Sequence, residues 1–333
     1  MSSVAVLAFD GGNSKTDVAL VGLDGSLLAH ARGPASSPHQ LGAERALDVL
    51  DGLIDEALAH AGLHRDGVPI ADVAELLMAG VDFPSEEEQL LELATGRRWA
   101  GRTKVGNDTF AVLRAGTERG WGVAVTCGAG INCVGVGPDG RHVRFPSLGA
   151  ITGDWGGGYD VGLGALFAAA RSEDGRGAKT SLERSVPAHF GLEHPVEVAE
   201  AIHRGAFGHR RLVELAPLVF AEAADDDEAA KIVDHLADEV VALARASLIR
   251  LELVDEPAEV LLGGGLLRAG DERLIARIEA GLREVGPRIV VHATASPPIV
   301  GAALLGLDEL GVDSGAHERL REELGAAVER LDG

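Results

Sequence analysis

Asp10 is the first residue in this chain whose type and position suit phosphate chemistry. It ends an apolar run, Val4 to Phe9, and is followed directly by Gly11 and Gly12. Glycines let backbone N–H groups approach a polyphosphate closely, and a carboxylate at a strand end can hold Mg²⁺. A plain hairpin turn has the same composition, so the motif by itself leaves both interpretations open.

Asn107-Asp108 lies where a predicted strand ends and a helix begins. Open α/β sheets bind their ligands at the carboxyl ends of strands. An aspartate there can accept the proton of a hydroxyl that attacks a γ-phosphate. The alternative is structural, because Asp108 can also cap the helix that follows.

Two further glycine turns follow strands in the second half. Gly128, Ala129 and Gly130 join two strands and match the first turn in position, which favours a cradle for the other side of the same phosphates. Gly263, Gly264 and Gly265 follow the strand Glu259 to Leu262 and can lie against an adenine or a ribose. An ordinary turn is the alternative for each.

The segment 153–159 sets one aspartate and two aromatic residues among four glycines. Asp154 can accept hydrogen bonds from sugar hydroxyls, and Trp155 can stack on a sugar face. A flexible hinge is the competing interpretation.

The elements that must position these residues form a repeated pattern. Residues 4–116 are predicted to form three strands, a helix, a strand, a helix, a strand and a helix. The pattern returns from residue 122, with a large helical insertion at about 159–253. We therefore predict an α/β protein with two lobes, at 1–117 and 118–311, followed by an amphipathic helix in 312–333.

Composition limits the partners. The chain has 30 Lys and Arg against 52 Asp and Glu, a formal charge of −22, which argues against nucleic acid or an anionic membrane as partner. Cys127 and Cys133 suggest no disulfide framework, and Met1-Ser2-Ser3 has no basic leader. We expect a cytoplasmic protein that acts on a small molecule.

Taken in order, these motifs resemble the sugar kinases of the actin, hexokinase and heat-shock ATPase superfamily. Within it they are similar to the N-acetylglucosamine kinase branch, which also contains BadF/BadG-type ATPases. The resemblance covers about residues 4–310 and implies two ribonuclease H-like lobes that bind Mg²⁺ and ATP. It is carried by the first phosphate motif Asp10-Gly11-Gly12-Asn13-Ser14-Lys15-Thr16, the catalytic pair Asn107-Asp108, the second phosphate loop Gly128-Ala129-Gly130, the sugar segment with Asp154, and the adenosine loop Gly263-Gly264-Gly265.

The resemblance also implies roles. Asp10 would hold the metal, Asp108 would be the base, and Asn107, Asp108, Asp154, Trp155 and Ser37 would contact the sugar in a homodimeric enzyme. The chain departs from the family where Ala129 and Ile131 replace hydroxyl residues. It departs again at Gly33 to His39, where related enzymes present an asparagine and an aromatic residue.

Two other functions fit the same sequence. BadF/BadG-type activating ATPases hold an iron–sulfur cluster between subunits through well-separated cysteines, whereas these two are six residues apart. A sugar or nucleotide sensor without catalysis is supported by the hydroxyl residues missing from the second phosphate loop.

Overall fold

The strands of this protein form two five-stranded sheets. The computed structural model describes residues 4–65 and 69–332. Met1 to Ser3, in which the sequence shows no basic leader, lie outside the described residues. The strands are β1 (Val4–Gly11), β2 (Lys15–Val21), β3 (Leu27–Pro34), β4 (Ala71–Met78), β5 (Ala100–Asn107), β6 (Gly122–Cys127), β7 (Ile131–Val136), β8 (His142–Arg144), β9 (Glu259–Gly263) and β10 (Val290–Ala293).

The helices follow the strands in the predicted alternation. They are α1 (Pro38–Leu41), α2 (Ala43–His60), α3 (Pro84–Gly96), α4 (Asp108–Gly116), α5 (Gly157–Glu173), α6 (Leu182–His189), α7 (Pro195–His203), α8 (Ala216–Glu222), α9 (Asp227–Arg250), α10 (Gly264–Arg268), α11 (Glu272–Val285), α12 (Pro298–Leu310) and α13 (Ser314–Asp332). The chain also forms short 3-10 turns at Gly149–Ile151 and His209–Leu215.

Both sheets have the same topology. The first has the order β3-β2-β1-β4-β5 and the second β8-β7-β6-β9-β10, so each begins with its central strand. In each sheet the first three strands of the chain pair antiparallel and the last two join in parallel. This repeat confirms the prediction of two ribonuclease H-like sheets with a helical insertion, α5 to α9, in the second.

The first sheet is covered by helices on both faces. The run from Val4 to Phe9 is buried on both sides because alternate side chains of a strand point to opposite faces. Leu7 and Phe9 pack in one cluster with α2 and α3, whereas Val6 and Ala8 pack in another with α12 and α13. This packing holds the carboxyl ends of β1, β4 and β5 in place.

The chain divides into two compact units. The first contains residues 1–121 together with 294–333, and the second contains residues 122–293. This differs from the predicted boundaries, because α12 was assigned to the second lobe and α13 to a separate segment. In the structure α12 packs on α4 and β1, and α13 buries Leu320, Leu324 and Val328 in the same core.

The amphipathic face predicted for the last helix ends one turn early. Leu331 is 56% exposed, so it does not share the buried face of Leu324 and Val328. In the part of the chain that the structure describes, no helix has the length and apolar character needed to cross a bilayer.

Candidate active site

The first sheet brings Asp10 and Asp108 to one edge. Gly11 at the end of β1 is in register with Met78 of β4, and Met78 is in register with Asn107 of β5. Because the three strands are parallel, the residues that end them lie side by side. The sequence predicts a strand end for both carboxylates, and the structure places these strand ends at the same edge.

The pKa values of both carboxyl groups are raised, and Asp108 acts electrostatically on Asp10. Loss of hydration, then the nearby charges of Asp108 and Asp17, raise the pKa of Asp10 to about 8 against the opposing effect of Lys15 and Arg32. Loss of hydration raises the pKa of Asp108 to about 6, although hydrogen bonds from Thr109 oppose the shift. Both side chains keep some exposure, so a ligand can reach them.

Asp17 supports the site from the neighbouring strand. It is in register with Asp10, and both His30 Nε2 and Arg32 Nε lie 2.7 Å from its Oδ1 atom. Burial opposes ionisation of Asp17, but the hydrogen bonds from His30 and Arg32 outweigh burial and lower its pKa. An ionised Asp17 therefore adds negative potential beside Asp10, where a cation would be attracted.

The first glycine turn differs in detail from the predicted phosphate cradle. The N–H of Gly12 donates to the carbonyl of Lys15 at 2.9 Å, so this donor closes the turn itself. Asn13, Ser14 and Lys15 are exposed at its tip. A polyphosphate at this turn would therefore meet the tip residues more readily than the N–H of Gly12.

Thr16 does not reach the open side of the turn. It is fully buried, and its hydroxyl donates to Ser36 Oγ at 2.7 Å. The side-chain hydroxyl predicted for cofactor binding instead connects β2 to the loop that precedes α1. Ser36 N also donates to the carbonyl of Gly12 at 3.3 Å, so this loop supports the turn.

Ser37, predicted to contact the sugar, lies in the same loop. Its side chain is fully buried, and its Oγ atom has no hydrogen-bond partner. It faces the main chain of Gly80 in the loop that follows β4.

Asn107 is largely occupied by the protein. It is 2% exposed, its Oδ1 atom accepts from Thr109 N at 2.9 Å, and its Nδ2 atom donates to Asp82 Oδ1 at 2.8 Å. It is therefore the N-cap of α4, the role that had been considered for Asp108. This leaves Asp108 in the first turn of α4 with a carboxylate available for chemistry.

The second unit joins its two glycine turns at one cavity. Its volume is about 680 Å³, and Gly128 and Gly265 both contribute to its lining. The remaining wall is mainly apolar and is supplied by α8 with a residue of the 3-10 turn before it, by α10 with the residues after it, and by the start of α5. It consists of Gly158, Val213, Ala216, Pro217, Phe220, Ala221, Leu266, Ala269 and Asp271.

This cavity suits a nucleoside. Its volume falls within the range of small-molecule sites, and such sites are mostly apolar with a few polar groups. Gly264 adopts a φ of +81°, and a Cβ atom there would lie 2.2 Å from the carbonyl oxygen of Cys127. Glycine at 264 is therefore required for packing of α10 on the end of β6.

The turn Gly128 to Gly130 is held against the start of α5. The N–H groups of Gly158 and Tyr159 donate to the carbonyls of Gly128 and Ala129 at 2.8 and 2.9 Å. These contacts set the position of the turn at the cavity.

Asp154 and Trp155 lie just before α5 in the second unit. Asp154 accepts a hydrogen bond from the hydroxyl of Thr152, and both residues of the predicted sugar segment are partly exposed. The ring of Trp155 meets that of His235 edge to face, with centroids 4.2 Å apart. The prediction that Asp154 contacts the same substrate on which Asp10 and Asp108 act stays a prediction.

Sequence patterns did not reveal three parts of these sites. The sequence of α8 predicts only an ordinary amphipathic segment, and the pattern around Asp17 predicts only a strand. Asp82 lies in none of the phosphate or sugar motifs of the sequence. Its signal is its position, four residues beyond β4 and thus at the same edge as Asp108.

Comparison with known proteins gives a consistent result. Residues 8–306 match the model of the BadF/BadG/BcrA/BcrD ATPase family. An N-acetylmuramic acid/N-acetylglucosamine kinase of Clostridium acetobutylicum is 27% identical over 263 residues, which are 79% of this chain and 85% of that protein. An N-acetyl-D-glucosamine kinase of Dictyostelium discoideum is 26% identical over 92% of this chain and 99% of its own.

The fold has a solved counterpart. A crystal structure from Chromobacterium violaceum, described as a candidate N-acetylglucosamine kinase, superposes with a TM-score of 0.72 at 26% identity. The match covers 92% of this chain and 100% of the other.

Proposed function

This chain belongs to the BadF/BadG/BcrA/BcrD ATPase family, and we propose that it is an ATP-dependent sugar kinase acting on an amino sugar, with N-acetylglucosamine as its substrate. The kinases named above, similar over most of the chain, support this proposal. The structural observation that carries it is the pairing of Asp10 with Asp108 at one sheet edge.

Asp108 is the proposed general base. Its pKa of about 6 keeps most of the carboxylate ionised near neutral pH, yet leaves it basic enough to take a proton. The acceptor hydroxyl gives its proton to Asp108 while its oxygen forms a bond to the γ-phosphorus. The bond between that phosphorus and the β,γ-bridging oxygen breaks, and ADP leaves.

The residues at the edge fit Mg²⁺. Asp10 is a hard oxygen ligand whose pKa is raised to about 8, first by burial and then by neighbouring negative charge, and a divalent cation would relieve that repulsion. Asp10 would hold the ion, which when bound neutralises phosphate charge. The cavity lined by Gly128 and Gly265 in the second unit would bind the nucleoside part of the nucleotide.

The two cysteines do not favour the alternative function, an activating ATPase with an iron–sulfur cluster. Both thiols are fully buried, and burial raises each pKa to about 12. Thiolates are the ligands that iron requires, and these side chains are poorly placed to ionise.

Sugar-dependent ADP release tests the proposal. A coupled assay with amino and neutral sugars should show turnover, fastest with N-acetylglucosamine, and phosphorylated sugar should be found by mass spectrometry. Asp108→Asn should retain ATP binding but lose turnover by about 10²-fold or more. Parental turnover in this variant would refute the base assignment, and sugar binding without ADP release would favour the sensor.

From the family resemblance we also propose that the protein is a homodimer and that it is cytoplasmic. Light scattering on the purified protein tests the first.

A further inference from the structure

The loop that follows β4 holds a carboxylate that contacts Asn107, the residue before the proposed base. Residues 79–83 connect β4 to α3, and Asp82 lies in this loop with its side chain partly exposed. Its Oδ1 atom is 2.8 Å from Nδ2 of Asn107, the residue next to Asp108. Asp82 is therefore at the acceptor end of the site in the first unit.

The loop is held in a fixed shape by main-chain contacts. Ala79 N donates to the carbonyl of Gly11 at 2.7 Å, which ties the loop to the first glycine turn. Glu86 accepts hydrogen bonds from the N–H groups of Asp82 and Phe83 at 2.8 and 2.9 Å. The carboxylate of Asp82 is therefore positioned before a ligand arrives, which lowers the entropy lost on binding.

Asn107 is poorly placed for the substrate role that the sequence assigned to it. Its amide oxygen caps α4, its amide nitrogen holds Asp82, and its side chain is almost fully buried. Asp82, in contrast, is partly exposed. Of this hydrogen-bonded pair, Asp82 is the member that can meet a sugar.

A second observation on the same loop points to a ligand. Ser37 Oγ is fully buried without a hydrogen-bond partner, and a Cβ atom placed on Gly80 would lie 3.2 Å from it. An unpaired buried hydroxyl destabilises a fold, so its presence suggests a partner that arrives with the ligand. Ser37 lies against Gly80, two residues before Asp82 in the same loop.

We propose that Asp82 binds the acceptor sugar by accepting a hydrogen bond from a second hydroxyl, one that is not phosphorylated, and so determines which sugars are used. This inference rests on the proposed kinase function. Carboxylates are acceptors only when ionised, and a charged acceptor makes a stronger bond to a hydroxyl than a neutral one does. Together, Asp82 and Asp108 would bind two hydroxyls of one sugar.

Asp82→Asn tests this with little structural change. The variant keeps an oxygen that can accept from Asn107, so a purely structural role predicts unchanged kinetics. Our proposal predicts an increase of roughly 10- to 100-fold in the sugar KM, the range for a hydrogen bond to a charged group. The ATP KM should change by less than about twofold, because the nucleotide contacts are elsewhere.

Deoxy sugars identify the hydroxyl concerned. In the parent protein, removing the hydroxyl that Asp82 binds should lower kcat/KM by about tenfold or more. In Asp82→Asn that same deoxy sugar should be almost as good as the full sugar. Glu88→Gln, on the exposed side of α3, is the matched control and should behave as the parent protein.

Direct binding separates failure of this inference from failure of the kinase proposal. Calorimetric titration with N-acetylglucosamine measures affinity without turnover, and urea unfolding checks that each variant is folded. Binding without ADP release would overturn the kinase proposal, while weaker binding by Asp82→Asn would still support the sugar contact. Equal affinity and an unchanged deoxy pattern in Asp82→Asn, or no sugar binding by the parent protein, would overturn the inference.

Discussion

Replacing Glu75 by glutamine should stabilise the first unit by an amount that grows as pH rises from about 4.5 and levels off above about 7. Glu75 lies in the central region of the first sheet on β4, is 6% exposed, and its Oε2 atom has no hydrogen-bond partner. Burial raises its pKa from 4.5 to about 7, with Lys104 opposing the shift and Glu309 and Asp308 adding to it. The charged form is therefore disfavoured in the folded protein.

The size and sign of the effect follow from that shift. A rise from 4.5 to about 7 corresponds to roughly 3 kcal/mol of difference between the protonation states. Below pH 4.5 both folded and unfolded chains carry a protonated Glu75, and its contribution is fully present. Between pH 4.5 and about 7 the unfolded chain releases the proton of Glu75 while the folded chain retains it. The free energy of unfolding of the parent protein therefore falls as pH rises through this range.

Urea unfolding at about pH 5 and about pH 8 measures the effect. Glu75→Gln resembles the protonated side chain, so the two proteins should differ little at the lower pH. The variant should be more stable by roughly 2 to 3 kcal/mol at the higher pH. Asp72→Asn, on the exposed side of the same strand, controls for general charge effects. A stability difference between parent and Glu75→Gln that stays constant with pH would refute the reasoning.

Three further predictions concern the two candidate sites. Turnover should fall about tenfold for each pH unit below about 6 as Asp108 becomes protonated, and residual activity of Asp108→Asn should lack this limb in a pH–rate profile. Ser37→Ala should leave the free energy of urea unfolding unchanged or raise it by up to about 1 kcal/mol, because an unpaired hydroxyl is removed, while sugar affinity in calorimetry falls. Gly264→Ala should lower thermal stability by roughly 1 to 3 kcal/mol and weaken ATP binding, because its Cβ atom would collide with the carbonyl of Cys127. Unaltered melting and ATP titration curves would count against a requirement for glycine at position 264.

The sequence predicted the order of strands and helices closely. Apolar runs such as Val4 to Phe9 are interrupted by glycine-rich turns, and these signals are local, so they survive in the folded chain. The shared edge for Asp10 and Asp108 also followed, because parallel strands align their carboxyl ends. The N–H of Gly12 donates to the carbonyl of Lys15 within the turn, and its role in phosphate binding stays a prediction.

The less predictable features depend on contacts between distant segments. Nothing near Pro298 in the sequence indicates that α12 packs on α4 and β1 of the first unit. Thr16 looks available at a turn until β2 pairs with its neighbours and buries it against Ser36. The roles of such residues emerge only when another part of the chain covers them.

The sequence by itself determined the two repeated sheets, the glycine turns at their edges and the two carboxylates at the first edge, because periodicity, glycine conformation and strand direction act over a few residues. Only the tertiary structure decided that Asn107 is occupied as a cap, that Asp82 is presented in its place, and that α8 completes the cavity beside Gly128. The physical reason is that burial and hydrogen-bond satisfaction are properties of a whole neighbourhood, which is assembled from segments that lie far apart along the chain.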